Sequence, residues 1–370
     1  MVRASRGVRL AQWVDWVPRL AQVTGRAVRR GPILGVLFFS GCQIPDREAS
    51  PSLPSAFPPT VQGLSWTGQP LTSRAPTSNE AQAILDADLA LAGDPASPSR
   101  LVAAARTREV IWRYGEALEL YEQAAAIFPT DFEPPLAMGH RLIRLRRLDE
   151  GLASLEKALQ LDPTGFNTAY LRGLTLYLLG RFDAAADEYL RCLRHGGVTG
   201  GSPAPRPSPD ASQGGQLQRE DPRQCLLLAS DPASRVAMTA WAVRALWRAD
   251  RTQEAQALLD NLPAEFDPGV LRGALPGYEN SPIVAGDNNH YWTLLRFFRG
   301  DISEEALLDR ESWGGQWPTV AYGLATWWIR EGRLDEARGL LEEIVADPNW
   351  ARLGHTAAEA DLVRLTGTRP

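Results

Sequence analysis

Residues 114–131 read Tyr-Gly-Glu-Ala-Leu-Glu-Leu-Tyr-Glu-Gln-Ala-Ala-Ala-Ile-Phe-Pro-Thr-Asp, and residues 148–165 read Leu-Asp-Glu-Gly-Leu-Ala-Ser-Leu-Glu-Lys-Ala-Leu-Gln-Leu-Asp-Pro-Thr-Gly. Laid over each other they match at Leu118 and Leu152, Ala124 and Ala158, Pro129 and Pro163, and Thr130 and Thr164, a constant offset of 34 residues. A period of this size is the length of one helix-turn-helix unit. Such a unit cannot bury its own apolar face and has to stack on copies of itself.

Working outward, a third copy runs Phe-Asp-Ala-Ala-Ala-Asp-Glu-Tyr-Leu-Arg-Cys over 182–192. Small residues recur where two helices touch: Gly139 and Gly173 in first helices, Ala117, Gly151 and Ala185 in second helices. A large residue fills the gap between them at Tyr121, Leu155 and Tyr189. The proline ends the second helix because its ring has no N–H with which to continue it. This combination resembles the tetratricopeptide (TPR) repeat. Fainter copies carry Ala255, Ala306 and Ala337 at the small position.

The expectation is therefore an all-α TPR solenoid, a right-handed superhelix of about six repeats, preceded by a signal peptide and a disordered tether. Its boundaries are a lipoprotein signal peptide over 1–41, a lipidated cysteine and Pro/Ser-rich tether over 42–77 and a capping helix over 78–97. Repeats one to three occupy 98–199, a flexible insertion 200–232 and repeats four to six 233–348. A C-terminal capping helix follows over 349–370, presenting a polar outer face.

At 370 residues, with 44% hydrophobic content and 12 Trp, the chain can bury a sizeable core and is not a disordered protein. The formal charge is −5. Residues 1–41 hold seven Arg against one Asp, so the remainder carries about −11, which argues against nucleic acid as a partner. The apolar run Pro32–Phe39 follows Arg29-Arg30 and precedes Ser40-Gly41-Cys42. It has the length of a signal-peptide core and is too short to span a bilayer. Ser-Gly-Cys resembles a bacterial lipobox, although Phe39 stands where Leu is usual; the resemblance implies acylation, palmitate included, at Cys42. The same resemblance, with Gln43 and not Asp after the cysteine, implies sorting to the periplasmic face of the outer membrane. Diacyl modification with a third chain gives stable anchoring.

No HExxH, GxSxG, CxxC, P-loop or GxGxxG string occurs, and the four His are scattered without metal-ligand spacing. The reading is non-enzymatic, with no metal and no cofactor. Cys192 and Cys225 flank the low-complexity insertion. Either they form a disulfide that staples it, as such bonds persist outside the cytosol, or Cys192 fills the small slot taken elsewhere by Ala124 and Ala158.

In a TPR superhelix the first helices line a concave groove, and that resemblance maps the groove onto Arg106, Glu109, His140, Arg144, Asn167, Tyr170 and Tyr177. In the fainter repeats it maps onto Trp241, Arg244, Trp247, Arg248, Tyr291, Phe298 and Arg299. Aromatic side chains beside Arg suit peptide anchors, acidic groups or C-terminal carboxylates. The register of Arg144, Arg248, Arg299 and Arg330 near helix ends also follows from the helix dipole alone.

Tyr291–Arg310, with an aromatic-rich helix, Gly-Asp-Ile-Ser-Glu and a leucine helix in that order, is similar to a stretch of NlpI-type TPR lipoproteins. That resemblance implies an envelope adaptor that docks peptidoglycan hydrolases and a protease. The insertion at 196–222 and the long Pro-rich tether depart from that family. The functional expectation is a membrane-anchored scaffold for cell-envelope proteins or peptides, coordinating cell-wall enzymes, with a homodimer allowed. The alternative is a carbohydrate- or peptidoglycan-binding protein, or an enzyme accessory subunit, using Trp292, Trp313, Trp317, Trp327, Trp328 and Trp350.

Overall fold

Helix pairs succeed one another along the chain, as the 34-residue period requires. The computed structural model describes residues 56–197, 225, 231–265 and 288–367. The expected signal peptide, Cys42 and nearly all of the 200–232 insertion lie outside these residues. Helix α1 (Ser78–Gly93) opens on a capping box between Thr77 and Glu80. The pairs are α2 (Pro98–Val110) with α3 (Tyr114–Ile127), α4 (Glu133–Arg144) with α5 (Leu148–Leu161), and α6 (Phe166–Leu178) with α7 (Phe182–His195). Next come α8 (Pro232–Arg248) with α9 (Thr252–Asp260), then α10 (Asn289–Arg299) and the short α11 (Glu305–Leu308). After α12 (Arg310–Trp313), α13 (Trp317–Arg330), against which α11 packs, pairs with α14 (Leu334–Val345), and α15 (Leu353–Thr366) ends the array.

The small-against-large pattern is what seats each pair. A Cβ on Gly139 would lie 2.5 Å from Leu155 Cγ, and one on Gly173 would lie 2.5 Å from Tyr189 Cε1. The second helix thus drops its large residue onto bare backbone of the first, which brings the axes together. Cys192 is disulfide-bonded to Cys225, with 5.0 Å between their Cα atoms. The backbone N–H of Cys225 also donates to Thr164 O at 2.8 Å.

The period extends to backbone conformation. Trp112, Arg146 and Gly180 stand in the turns inside the first three pairs, each with positive φ of 63°, 64° and 76°. Only glycine adopts this region without penalty; a non-glycine residue there costs about 1–2 kcal/mol. Two of the three turns carry that cost, and both side chains are held by the C-terminal end of the chain. Trp112 packs edge-on against Trp350 with ring centroids 5.6 Å apart. Arg146 Nε donates to Glu359 Oε2 at 3.1 Å.

The tether expected over 42–77 is overturned in its second part. Val61–Leu64 (β1) and Pro70–Thr72 (β2) form an antiparallel hairpin with Leu64 opposite Pro70. Gly68, at φ 82°, makes its turn. Strands too short for a visible alternation are stabilised here by docking: Arg74 N–H donates to Ile111 O at 3.0 Å, and Trp350 Nε1 donates to Thr72 O at 2.8 Å. The hairpin therefore bridges the first repeat and the segment that leads into α15.

Two glycines separate close packing from open helix. A Cβ on Gly354 of α15 would lie 2.5 Å from Pro318 O and 2.6 Å from Thr319 Cα, backbone atoms that cannot swing away, whereas nothing lies within 4 Å of one on Gly339 in α14. Gly354→Ala is expected to destabilise the protein by about 1–3 kcal/mol. Gly339→Ala is expected to stabilise it by about 0.5–1 kcal/mol. Denaturant unfolding of the two variants beside the native chain checks both signs.

Candidate functional site

The side of the array expected to be an open groove is filled. Tyr170, Tyr177, Trp241 and Tyr291, all predicted to face a ligand, are buried. Their hydroxyls meet one another: Tyr170 Oη lies 3.0 Å from Tyr291 Oη, and Trp241 Nε1 reaches the same oxygen at 3.4 Å. The reason is curvature, because α8 packs against α10 and α13 of later repeats, and α6 reaches the same two helices through Tyr170–Tyr291 and Tyr177–Tyr322. Side chains that would line an open solenoid become its core. Burial pushes the Tyr170, Tyr189 and Tyr322 hydroxyls well above their ordinary pKa, so all three stay neutral, and those of Tyr170 and Tyr322 serve as hydrogen-bonding groups.

Helix α15 completes the closure. Expected as a cap with a polar outer face, it turns its polar residues inward instead. Tyr322 Oη donates to Asp361 Oδ2 at 2.8 Å and lies 2.9 Å from Tyr177 Oη. Arg248 Nη1 and Arg364 Nη1 hold Asp361 Oδ1 at 2.8 and 2.6 Å. Arg364 also donates to the carbonyls of Tyr177 and Leu178 at the end of α6. Glu359, with a side chain 0% exposed, is paired with Arg146, 2% exposed, and with His355 Nδ1 at 3.0 Å. Its second oxygen accepts from Trp66 N–H of the hairpin at 3.2 Å. Burial by itself would raise the Glu359 carboxyl, but the His355 hydrogen bond and the Arg146 charge outweigh it and hold the pKa at about 2. Asp361 is likewise depressed: the Arg248 and Arg364 charges overcome its burial.

With the interior closed, binding surface is left in clefts where cations gather. One cleft of about 430 Å³ lies between the first two repeats and the 349–352 segment. It brings together Arg106, Arg141, Arg144 and Arg352 beside Trp112 and Tyr114. Arg141 is paired with Glu109, and Arg106 with Glu133. Arg144 and Arg352 have no carboxylate within ion-pair distance among the described residues. Arg144 Nε instead donates to His140 Nε2 at 3.2 Å, and Arg141 Nη1 lies 2.7 Å from Nδ1 of that ring. Burial and the two flanking arginines hold His140 well below its ordinary pKa, so the ring is neutral. Arg144 itself is lowered, by burial first and then by the Arg141 and Arg352 charges.

The predicted set thus divides. Arg106, Glu109 and Arg144 share this cleft, with His140 buried against its arginines. Arg244, Trp247 and Arg248 share a second cleft, between α8 and α13. Asn167 is half-buried beside neither, and Phe298 stacks into the Trp247–Trp327 aromatic group. Arg299 is occupied by Asp301. Sequence reasoning missed Arg141, Arg352 and Arg330 as cleft residues, and Glu359 and Asp361 as buried anions. Among the described residues no three metal-ligating side chains come together, and no helix is long and apolar enough to cross a membrane.

No protein family of known description matches the chain, and no curated protein matches it. Among solved structures it is similar to MamA AMB-1 at 16% identity and a TM-score of 0.35, over 49% of this chain and 86% of that one. A MamA MSR-1 structure gives 15% and 0.35, over 50% and 84%. The structure of Naa15/Naa10 bound to HypK-THB gives 15% and 0.32, over 78% of this chain and 36% of that one. Scores this low carry no argument about function, and the fold class rests on the helix pairs themselves. Those pairs, with their small-against-large contacts, define an all-α TPR solenoid closed by its own terminal helix.

The Glu359 pKa gives an acid signature. Because it lies near 2 in the folded chain against 4.5 for the unperturbed group, its stabilisation is full above pH 4.5 and is lost as pH falls toward 2. Glu359→Gln leaves Arg146 without its carboxylate and is expected to cost about 3 kcal/mol at neutral pH. Urea midpoints measured from pH 7 to pH 2 should fall less steeply in the variant than in the native chain.

Proposed function

We propose that the protein is a non-enzymatic scaffold that docks an acidic segment of a partner protein in the cleft lined by Arg144 and Arg352. The observation that carries this reading is the unmatched positive charge there. Four guanidiniums gather in or at the rim of the cleft, Glu109 and Glu133 are paired with two of them, and the whole chain is net acidic. A local cationic site on an acidic body selects acidic partners and repels basic ones. Trp112, half-buried in the cleft wall, supplies the adjoining aromatic area for a peptide anchor.

Lipid attachment at Cys42 on the periplasmic side of the outer membrane is the second part of the proposal, supported by Ser40-Gly41-Cys42 after the apolar run. Together they make a binding surface displayed from the bacterial cell envelope, and coordination of cell-wall enzymes is the role that the NlpI-type resemblance suggests. The carbohydrate alternative depended on free indole faces. Trp292, Trp317, Trp328 and Trp350 are buried, and Trp313 and Trp327 pack on the core, which removes the surface that reading needs.

Charge reversal tests the cleft. Arg144→Glu with Arg352→Glu is expected to weaken binding of a labelled Glu-rich peptide by more than about tenfold. The native affinity should fall as salt rises through the Debye range. Unchanged affinity in the double variant would remove the cleft from the account. Metabolic palmitate labelling that is lost in Cys42→Ser is the expected result for the anchor, and labelling that persists would contradict it.

A further inference from the structure

The second cleft, also about 430 Å³, lies at the C-terminal ends of α8 and α13. Arg244 and Thr326 form its inner wall and are buried, while Asp250, Arg330 and Glu331 make an exposed rim. Arg244 is 0% exposed. Its Nε donates to Ala240 O at 2.9 Å, and its guanidinium stacks 3.8 Å over the Trp241 ring. Nη1 and Nη2 are both buried and meet no hydrogen-bond partner among the described residues. The other two buried arginines among the described residues, Arg141 and Arg146, are each closed by a carboxylate, Glu109 and Glu359. A buried guanidinium with two unmet nitrogens is costly to the folded state unless something supplies the acceptor.

The surroundings say what that acceptor is. Arg248 is stacked on Phe182 at 4.3 Å, and Arg330 on Trp247 and Trp327 at 4.7 Å. Stacking occupies the faces of these cations and leaves their N–H edges in plane for an oxyanion. Arg248 is matched by Asp361, and Arg330 by Glu331 at 3.3 Å. Asp361 is shared with Arg364, and Asp250 stands on the exposed rim. The fully buried cation of the lining with no carboxylate against it is Arg244, and one guanidinium calls for one anionic group. Two adjacent nitrogens of one guanidinium fit the two oxygens of one carboxylate. Trp247 and Ile329 add an apolar wall, and the volume is that of a small-molecule pocket.

We infer that the Arg244 cleft binds a small monocarboxylic acid, its carboxylate forked by Nη1 and Nη2 of Arg244 and its apolar body against Trp247 and Ile329. This site is separate from the Arg144 cleft and does not depend on the scaffold reading.

Calorimetry and thermal unfolding of the full chain with benzoate, benzamide and the tripeptide Ala-Ala-Phe test it. Benzoate should bind saturably and raise Tm, while benzamide does neither. Arg244→Met should weaken benzoate by at least about tenfold. Free of the unmatched charge, that variant should unfold in ligand-free buffer no earlier than the native chain. Arg330→Gln, on the exposed rim, leaves the core intact and should weaken benzoate by about threefold, a rim charge being worth less than a buried one. Equal effects of benzoate and benzamide would overturn the proposal, and so would undiminished benzoate affinity in Arg244→Met. If Arg244→Met fails to fold, unchanged benzoate binding in Arg330→Gln overturns it. Binding of the tripeptide without binding of benzoate would assign the carboxylate to a peptide end and overturn the small-acid assignment.

Discussion

The buried ion pair of Arg146 with Glu359 ties the second repeat to the terminal helix. Arg146 sits at positive φ in the turn of the second repeat, and Glu359 sits in the middle of α15. Taking both charges out of water costs several kcal/mol per ion and is offset only where the geometry satisfies their remaining hydrogen bonds. Here it does: Glu359 also accepts from Trp66 N–H and pairs with His355, and Arg146 donates to the carbonyls of Arg144 and Trp350. The pair adds little net stability over an apolar contact, but it specifies where α15 docks. A helix set down one turn away would leave two buried charges unmatched.

That docking decides which surface is free for binding. Once α15 lies against Arg146, Arg248 and the end of α6, the concave side is consumed by Asp361, Tyr322, Tyr177 and Trp241. The arginines at the ends of first helices then face clefts at the margins of the array. Those paired to carboxylates serve the fold, and Arg144 and Arg244, without a carboxylate among the described residues, are left to meet a ligand, joined by Arg352 from the segment before α15.

The repeats were legible because their signal is local. Gly139 against Leu155 and Gly173 against Tyr189 are contacts within one helix pair, so residue size at fixed spacing reports them. The cleft was only half legible. Arg106 and Arg144 follow from repeat register, but Arg352 comes from a segment outside the repeats. The roles of Glu359 and Asp361 could not be read, since their partners Arg146 and Arg248 lie 213 and 113 residues away. A charged residue in a terminal helix looks solvated until its distant partner is known. The hairpin escaped notice for a related reason: its strands have four and three residues, and docking on Ile111 and Trp350 stabilises what the local sequence does not.

Native-state hydrogen exchange across α15 tests the closed array most directly. If the helix is part of the core, its amides exchange only with global unfolding, at the same free energy as those of α6 and α8. If they exchange through a local opening of much lower free energy while α6 and α8 stay protected, the concave side is accessible after all. The placement of binding in the marginal clefts would then be contradicted.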